Sequence, residues 1–287
     1  MHLQSVNCSL CKSTKHHIIY KLGSFNIVQC CECGLIFRDI RLDLKSAKEL
    51  YSGKYFTSEQ ADYFFNYPAV KEKMFRRRLE ILDSYSPKKG SLLDIGCAIG
   101  TFPKIAMEGG WAVKGVEISE YAAGYAKNEY GLDVICGEFS KKLFKEGESF
   151  DVITMWDVID HSEDPMKLLS DAASLLKVGG HLIVETTMED SLIYDTCKWS
   201  YILSFGLLKG PVMKGHPVHH STFFSKATLK KAMELCALSI KGEGVSEYPA
   251  EFFPGGIISK QVFNLFYAIG SLVKKPLIYY FIGQRTK

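Results

Sequence analysis

The chain has 287 residues, 47% of them hydrophobic and 23% charged, which suits one α/β domain with a small appendage and excludes long disordered tails. Its 35 basic and 32 acidic residues leave a net charge of +3, too little for a nucleic-acid-coating surface, so no nucleic-acid partner is expected. The N-terminal MHLQSVNCSLCKS lacks a secretory pattern, and no stretch reaches the roughly 18 apolar residues of a membrane span, so a cytoplasmic setting with reduced cysteines is expected.

The first element is a pair of knuckles, Cys8-x-x-Cys11 and Cys30-x-x-Cys33, with Gly34 directly after the second. Two thiolates on a tight turn can face one ion, and two such turns complete a tetrahedral shell, so these four cysteines are the expected ligands of a structural Zn2+. The residues between them, 16–28, read as two short strands around Gly23, as a zinc ribbon over residues 1–45 requires. With four thiolates no coordination position stays open, so the metal would fold the module and take no part in chemistry. Cys31 is expected to point outward, with His16 and His17 on an exposed strand. A disulfide reading conflicts with the compartment, and a redox CxxC reading leaves the second pair unexplained.

Residues 46–88 form a linker. Its aromatic part, Tyr51 to Tyr67, can act as a lid in which Tyr55 or Tyr63 meets a ligand, or can pack between ribbon and core; a helix follows over Lys71 to Tyr85. The segment SLLDIGCAIGTF then gives a strand ending at Asp94, a tight turn holding Gly96, Cys97, Ala98 and Gly100, and a helix from about Thr101. Glycine permits positive φ and close backbone approach to a ligand there. The GxGxxG spacing of dinucleotide folds is absent, and Asp94 suits a cationic group better than a pyrophosphate. A second strand, Ala112 to Ser119, carries Glu117 and Ile118, and an acidic side chain about twenty residues past the turn can accept both ribose hydroxyls. After a third strand, 132–136, Glu138 and Phe139 stand where an adenine amino group and ring face would lie. The fourth strand starts at Phe150 and places Trp156, Asp157, Asp160 and His161 at its carboxyl end, where ligands of open α/β sheets bind. Asp164 and Pro165 open a helix, the Val178-Gly179-Gly180 turn ends it, and a fifth strand spans His181 to Glu185.

Residues 186–224 read as a long connection holding Trp199, His216, His219 and His220, of the kind that shapes a substrate pocket. A helix follows Ser225. The last two strands are 238–248 and 277–286, with an aromatic-rich insertion at about 250–275 whose Gln261 to Val273 part reads as a buried or interfacial helix. That insertion suits a pocket cover, a dimer contact or a peripheral membrane contact.

In order and spacing, LLDIGCAIGTF, VKGVEIS, GEF, FDVITMWDVIDH, DP and LLKVGGHLIVET resemble the motifs of class I S-adenosylmethionine-dependent methyltransferases over roughly residues 70 to 240. The double CxxC and the HPVHHSTFFSKATLKKAMELC segment are similar to those of bacterial sugar and natural-product methyltransferases. Two departures are Ala98 for a usual glycine and Asp160 before His161 where Glu-His is common. The resemblance implies a Rossmann-like seven-stranded doubly wound sheet over residues 89–287. It places Asp94, Gly96 and Gly100 around the methionine moiety of S-adenosylmethionine, Glu117 on its ribose, and Glu138 and Phe139 at its adenine. It also implies methyl transfer to oxygen or carbon of a small-molecule or carbohydrate acceptor, nucleotide- or lipid-linked acceptors included. His219 or His220 is then the expected base, with His161 and Asp157 as alternates, while loop hydrogen bonding and helix capping offer a plainer role for His219 and His220. A metal held by His216, His219 and His220 lacks a further ligand at matching spacing. Transfer can also run on proximity alone. RNA or protein methylation, and a non-catalytic scaffold, are the alternative functions.

Overall fold

The computed structural model describes residues 6–42, 46, 49–253 and 255–286; residue 45, the expected end of the ribbon, lies outside them. The strands are β1 (His16–Lys21), β2 (Asn26–Cys30), β3 (Ile36–Arg38), β4 (Ser91–Ile95), β5 (Ala112–Glu117), β6 (Asp133–Cys136), β7 (Phe150–Trp156), β8 (Leu176–Thr187), β9 (Thr222–Phe223), β10 (Leu238–Val245) and β11 (Ile278–Arg285). Seven of them form one sheet in the order β10-β11-β8-β7-β4-β5-β6. Strands β4 to β8 pair in parallel, and β11 inserts antiparallel between β8 and β10. The order reverses at β4, which pairs with β5 on one side and β7 on the other. In open α/β sheets this switch point opens a crevice at the carboxyl ends of the strands.

Alternation along the central strands feeds two cores. Leu92, Val152 and Ile183 face one cluster with Leu79 and Leu82 of α1 (Pro68–Tyr85) and Phe102 and Ile105 of α2 (Thr101–Glu108). Leu93, Ile153 and Met155 face the other, with Leu169 of α4 (Pro165–Leu175) and Leu229 of α7 (Lys226–Leu235). Apolar residues on both faces of β4 and β7 are what a doubly covered parallel sheet needs. α3 (Glu120–Tyr130) starts at Ser119, whose hydroxyl accepts from the Ala122 amide, and ends at Gly131 in a left-handed conformation.

The four remaining strands form an antiparallel sheet, β1-β2-β3-β9. The expected ribbon hairpin is present, with Gly23 at positive φ between its strands. The ribbon also joins the main body in two ways. Its Cys8, Leu10, Leu35 and Phe37 share a core with Leu93 and Met155, and β3 pairs with β9 from the far end of the chain.

Two expectations are corrected and a third is narrowed. β8 begins at Leu176, directly after α4, and Gly179 and Gly180 lie within it beside a register shift at Phe150/Val152. A Cβ on Gly180 would stand 2.9 Å from the Asp151 carbonyl oxygen, so the glycine is there for close strand approach and not to end a helix. Residues 186–224 are not an irregular connection, since they contain α5 (Leu192–Leu203), α6 (Gly210–Gly215) and β9. Of the two readings of the insertion helix, buried or interfacial, the buried one is removed: only Phe263 and Gly270 of α8 (Ile257–Leu272) are buried.

Candidate active site

The turn after β4 is held by its backbone. Gly96 and Gly100 adopt φ of 72° and 82°, and a Cβ on either would meet a side-chain carbon at 2.6 Å, on Val158 and Leu132 respectively. Ala98 shares the left-handed conformation with φ of 49°. The amide of Ala98 donates to Glu117 Oε2 at 2.9 Å and that of Ser119 to Oε1 at 2.8 Å, so Glu117 bridges the turn to the end of β5. Each oxygen keeps a lone pair for a further donor. Burial raises the Glu117 carboxyl above its ordinary range, against the backbone amides that lower it. Asp94 is buried and accepts from Thr154 Oγ1 at 2.6 Å; burial pushes its pKa up to about 7, with the Thr154 hydrogen bond opposing.

The other candidate cofactor residues separate. Ile118 is half-buried and Glu138 exposed at the adjoining strand ends. Phe139 is half-buried, its ring 6.1 Å from that of Phe144. The Cys97 side chain is buried under β5, among Ala126, Leu132 and Val134, so only its backbone belongs to the turn. The Trp156 indole is buried against Phe102 and the Arg78 guanidinium.

The acceptor-side candidates converge from two parts of the chain, residues 157–161 and 219–220. His161 stacks on His219 with ring centroids 5.4 Å apart, and its centroid is 4.4 Å from that of His220. Ligand-type atoms of these three imidazoles lie within 4.8 Å of one another, and so do those of Asp157, Asp160 and His161. His216 stands apart: Glu189 lies 3.1 Å from its Nε2 and the Val212 carbonyl 2.9 Å from its Nδ1, which pins the loop. The cluster that forms is therefore 161, 219 and 220, and spacing along the chain could not show it. Asp160 is buried, with Oδ2 at 3.3 Å from His220 Nδ1. Burial pushes His219 down to about 3 and His220 also well below the usual histidine range, so both are neutral at pH 7. Asp157 directly follows β7 with φ of 61°, a strained conformation at the crevice. It is solvent-reachable yet ringed by protein, and its surroundings together with Asp160 raise its carboxyl.

Two features were not legible in the sequence. Tyr51, in the aromatic linker, places its hydroxyl 2.6 Å from His161 Nδ1, and the Tyr55 ring lies 6.4 Å from that of His219. Phe56 of the same segment sits on Ile99 and Ala122, so the linker covers the glycine turn and reaches the histidines. Arg38, fully buried at the end of β3, ion-pairs with Glu163 at 2.5 Å and donates to the Val218 carbonyl, which fixes the backbone just before His219. A lone arginine carries no pattern that would reveal this.

At the ribbon, Cys8 Sγ and Cys33 Sγ are 3.4 Å apart, Cys11 and Cys30 3.5 Å, and all four sulfurs lie within 4.8 Å of one another. A tetrahedron with metal–sulfur bonds of about 2.3 Å has edges of about 3.8 Å, so the set fits one ion and is too open for disulfides. Both knuckles close alike, the Lys12 amide donating to the Cys8 carbonyl and the Gly34 amide to that of Cys30, with Lys12 and Gly34 at positive φ. Cys31 is exposed, with Sγ 3.7 Å from His17 Nδ1.

Residues 68–236 match a family model described as a methyltransferase domain. Curated relatives include a ubiquinone biosynthesis O-methyltransferase of Coxiella burnetii, 30% identical over 38% of this chain and 49% of that protein. One of Parvibaculum lavamentivorans is 35% identical over 33% and 39%. The chain spans about half the length of the curated relatives it matches. Solved structures of similar fold include a SAM-dependent methyltransferase from Archaeoglobus fulgidus, with TM-score 0.54 and 18% identity over 80% of this chain and 99% of that one. Magnesium protoporphyrin IX methyltransferase from Synechocystis PCC 6803 with bound SAM gives 0.55 and 15% over 85% and 98%.

Proposed function

The chain belongs to the S-adenosylmethionine-dependent methyltransferases, and from that membership we propose that it moves a methyl group from S-adenosylmethionine to a small-molecule or carbohydrate acceptor, on oxygen or carbon, in a biosynthetic pathway. The observation that carries this reading is the convergence of the Asp94–Gly100 turn and Glu117 with His161, His219 and His220 at one end of the parallel sheet. The relatives are named for O-methylation in ubiquinone biosynthesis, which favours oxygen as the accepting atom.

The residues fit the cofactor. Gly96 and Gly100 let the turn pack tightly against Val158 and Leu132, where a Cβ would clash, and Ala98 keeps only a methyl there; Asp94 answers the cationic methionyl end, and Glu117 keeps acceptor capacity for ribose hydroxyls. Ile118, Glu138 and Phe139 complete the adenine end, while Cys97 contributes backbone and Trp156 supports the crevice from beneath. When bound, S-adenosylmethionine supplies an electrophilic methyl on a sulfonium. On the acceptor side neutral His220 would take the hydroxyl proton as the methyl passes to oxygen and S-adenosylhomocysteine leaves, with Asp160 Oδ2 3.3 Å from its Nδ1. Asp160 makes no hydrogen bond to the ring and would act through its charge, by stabilising the imidazolium. His219, His161 and Asp157 line the approach, and the Tyr51–His161 contact lets the aromatic linker act as a lid.

The domain reading keeps a zinc ribbon at 1–45, a lid at 46–88 and the methyltransferase domain at 89–287, in which the ribbon's structural Zn2+ sits on Cys8, Cys11, Cys30 and Cys33. A cytoplasmic setting goes with it, since thiolate ligands need a reducing compartment. The test is methyl transfer from labelled S-adenosylmethionine to phenolic and nucleotide-sugar acceptors. His220→Ala should cut kcat by roughly 10²- to 10⁴-fold with little change in cofactor affinity. Unchanged kcat in His220→Ala and Asp160→Asn would assign transfer to orientation alone, and transfer to none of the acceptors by protein that binds the cofactor would remove the acceptor class.

A further inference from the structure

The α5–α6 region exposes apolar side chains that the fold does not use. Trp199, Leu203, Phe205, Leu207 and Leu208 are 56%, 74%, 95%, 86% and 52% exposed within ten residues of chain. This tip is ordered by hydrogen bonds: the Gly206 amide donates to the Tyr201 carbonyl at 2.8 Å and the Leu208 amide to Ser204 Oγ at 2.9 Å. Phe205 itself takes φ of 52°, a conformation that disfavours a bulky side chain, so the turn holds an aromatic ring outward at a cost in strain and exposure. On α8, Ile258, Val262, Leu265, Ile269 and Leu272 are exposed at helical spacing and form one outward stripe. The two helices adjoin. The Leu192 amide donates to the Lys275 carbonyl, and Lys275 Nζ meets Asp195 at 2.5 Å.

Charge decides the occupant. Residues 196–215 and 252–287 contain no aspartate or glutamate. Lys198, Lys209, Lys214 and Lys274 are exposed and form no ion pair among the described residues. Apolar side chains interleaved with unpaired lysines complement an anionic lipid surface. A symmetric dimer through the same face would set these lysines against their own copies. Among the described residues no helix is long and apolar enough to cross a membrane, and the 16 residues of α8 span about 24 Å against about 30 Å of hydrocarbon, so the helix would lie on the surface.

We propose that the α5–α6 tip and the outer stripe of α8 dock this protein on the surface of an anionic lipid bilayer. The docking face is continuous in sequence with the acceptor side. α6 runs directly into His216, and Tyr194 of α5 donates to the Gly215 carbonyl at 2.6 Å. On the function proposed above, on which this one consequence rests, the acceptor is drawn from the membrane as a lipid-linked molecule.

The test is cosedimentation of the full chain with phosphatidylcholine vesicles that contain or lack phosphatidylglycerol. Binding is expected to the anionic vesicles and to weaken with salt. Phe205→Asp with Leu207→Asp should weaken the partition at least roughly tenfold, and Lys209→Gln and Lys214→Gln roughly fivefold each. Titration with S-adenosylhomocysteine shows that each variant is folded and keeps the two proposals separable: vesicle binding without nucleoside binding leaves docking standing and removes the enzyme reading. Docking is overturned if the wild type binds neither vesicle, if the Asp variant binds as well as the wild type, or if Phe205→Asp instead converts a dimer to a monomer in the absence of lipid.

Discussion

On the proposed cofactor site, Asp94 is the residue expected to set the pH dependence of binding. Its folded carboxyl titrates at about 7, above the ordinary range near 4. The sign follows from linkage: the group favours the fold fully below about pH 4, and that contribution is lost as pH rises to about 7. Binding a cationic methionyl group needs the ionised form and runs the other way, so affinity for S-adenosylmethionine should tighten roughly tenfold between pH 6 and pH 8 and then level off. Asp94→Asn should bind weakly with no pH dependence, and a wild-type affinity flat across that range would refute the role. His219 and His220 titrate far below neutrality, so they should add no limb to the kcat profile between pH 6 and pH 9. Gly100 offers a steric check. An added Cβ would meet Leu132 at 2.6 Å and Ala126 at 2.8 Å with φ at 82°, so Gly100→Ala should lower Tm by several degrees and weaken nucleoside binding together.

At the scale of elements, the buried Arg78–Glu185 pair ties α1 to β8, with Ser246 donating to the same carboxylate. Arg78→Ala leaves an uncompensated buried charge and should cost about 3–5 kcal/mol in urea unfolding, most of it recovered when Glu185→Leu accompanies Arg78→Met. The ribbon is less separable than its cysteine spacing suggests. Because β3 pairs with β9 and Arg38 fixes residue 218, Cys8→Ser or Cys33→Ser should lose bound zinc and also depress methyl transfer, while full zinc content in both variants would refute the ligand set. The knuckles, the hairpin around Gly23 and the β4 turn could be read from sequence because each is a local device in which neighbouring residues impose a conformation. The register of β8 could not. Gly179 and Gly180 look like a helix stop, and only the close approach of Asp151 shows why they lie inside a strand.

For the molecule as a whole, the doubly wound sheet was legible because its strands end in polar residues at regular intervals, and the order of those motifs fixes the crevice. The acceptor side was legible only as separate fragments. His161, His219 and His220 meet through the pairing of β3 with β9 and the contacts of Arg38, which no local pattern encodes. For α8 the sequence leaves a buried and an interfacial helix both open, because an apolar helix reads the same whichever neighbour covers it, and only the fold shows which side chains face outward. On the proposed function, the nucleoside would lie on the β4–β5 side of the switch point and the acceptor on the histidine side, with the aromatic linker covering the glycine turn and reaching the histidines.

Calorimetric titration of the purified chain with S-adenosylhomocysteine, with NADH as control, tests the cofactor site most directly. Saturable binding of S-adenosylhomocysteine alone, lost in Asp94→Ala and in Gly96→Val, is the expected result. Binding of NADH alone, or of neither ligand by well-folded protein, would contradict it.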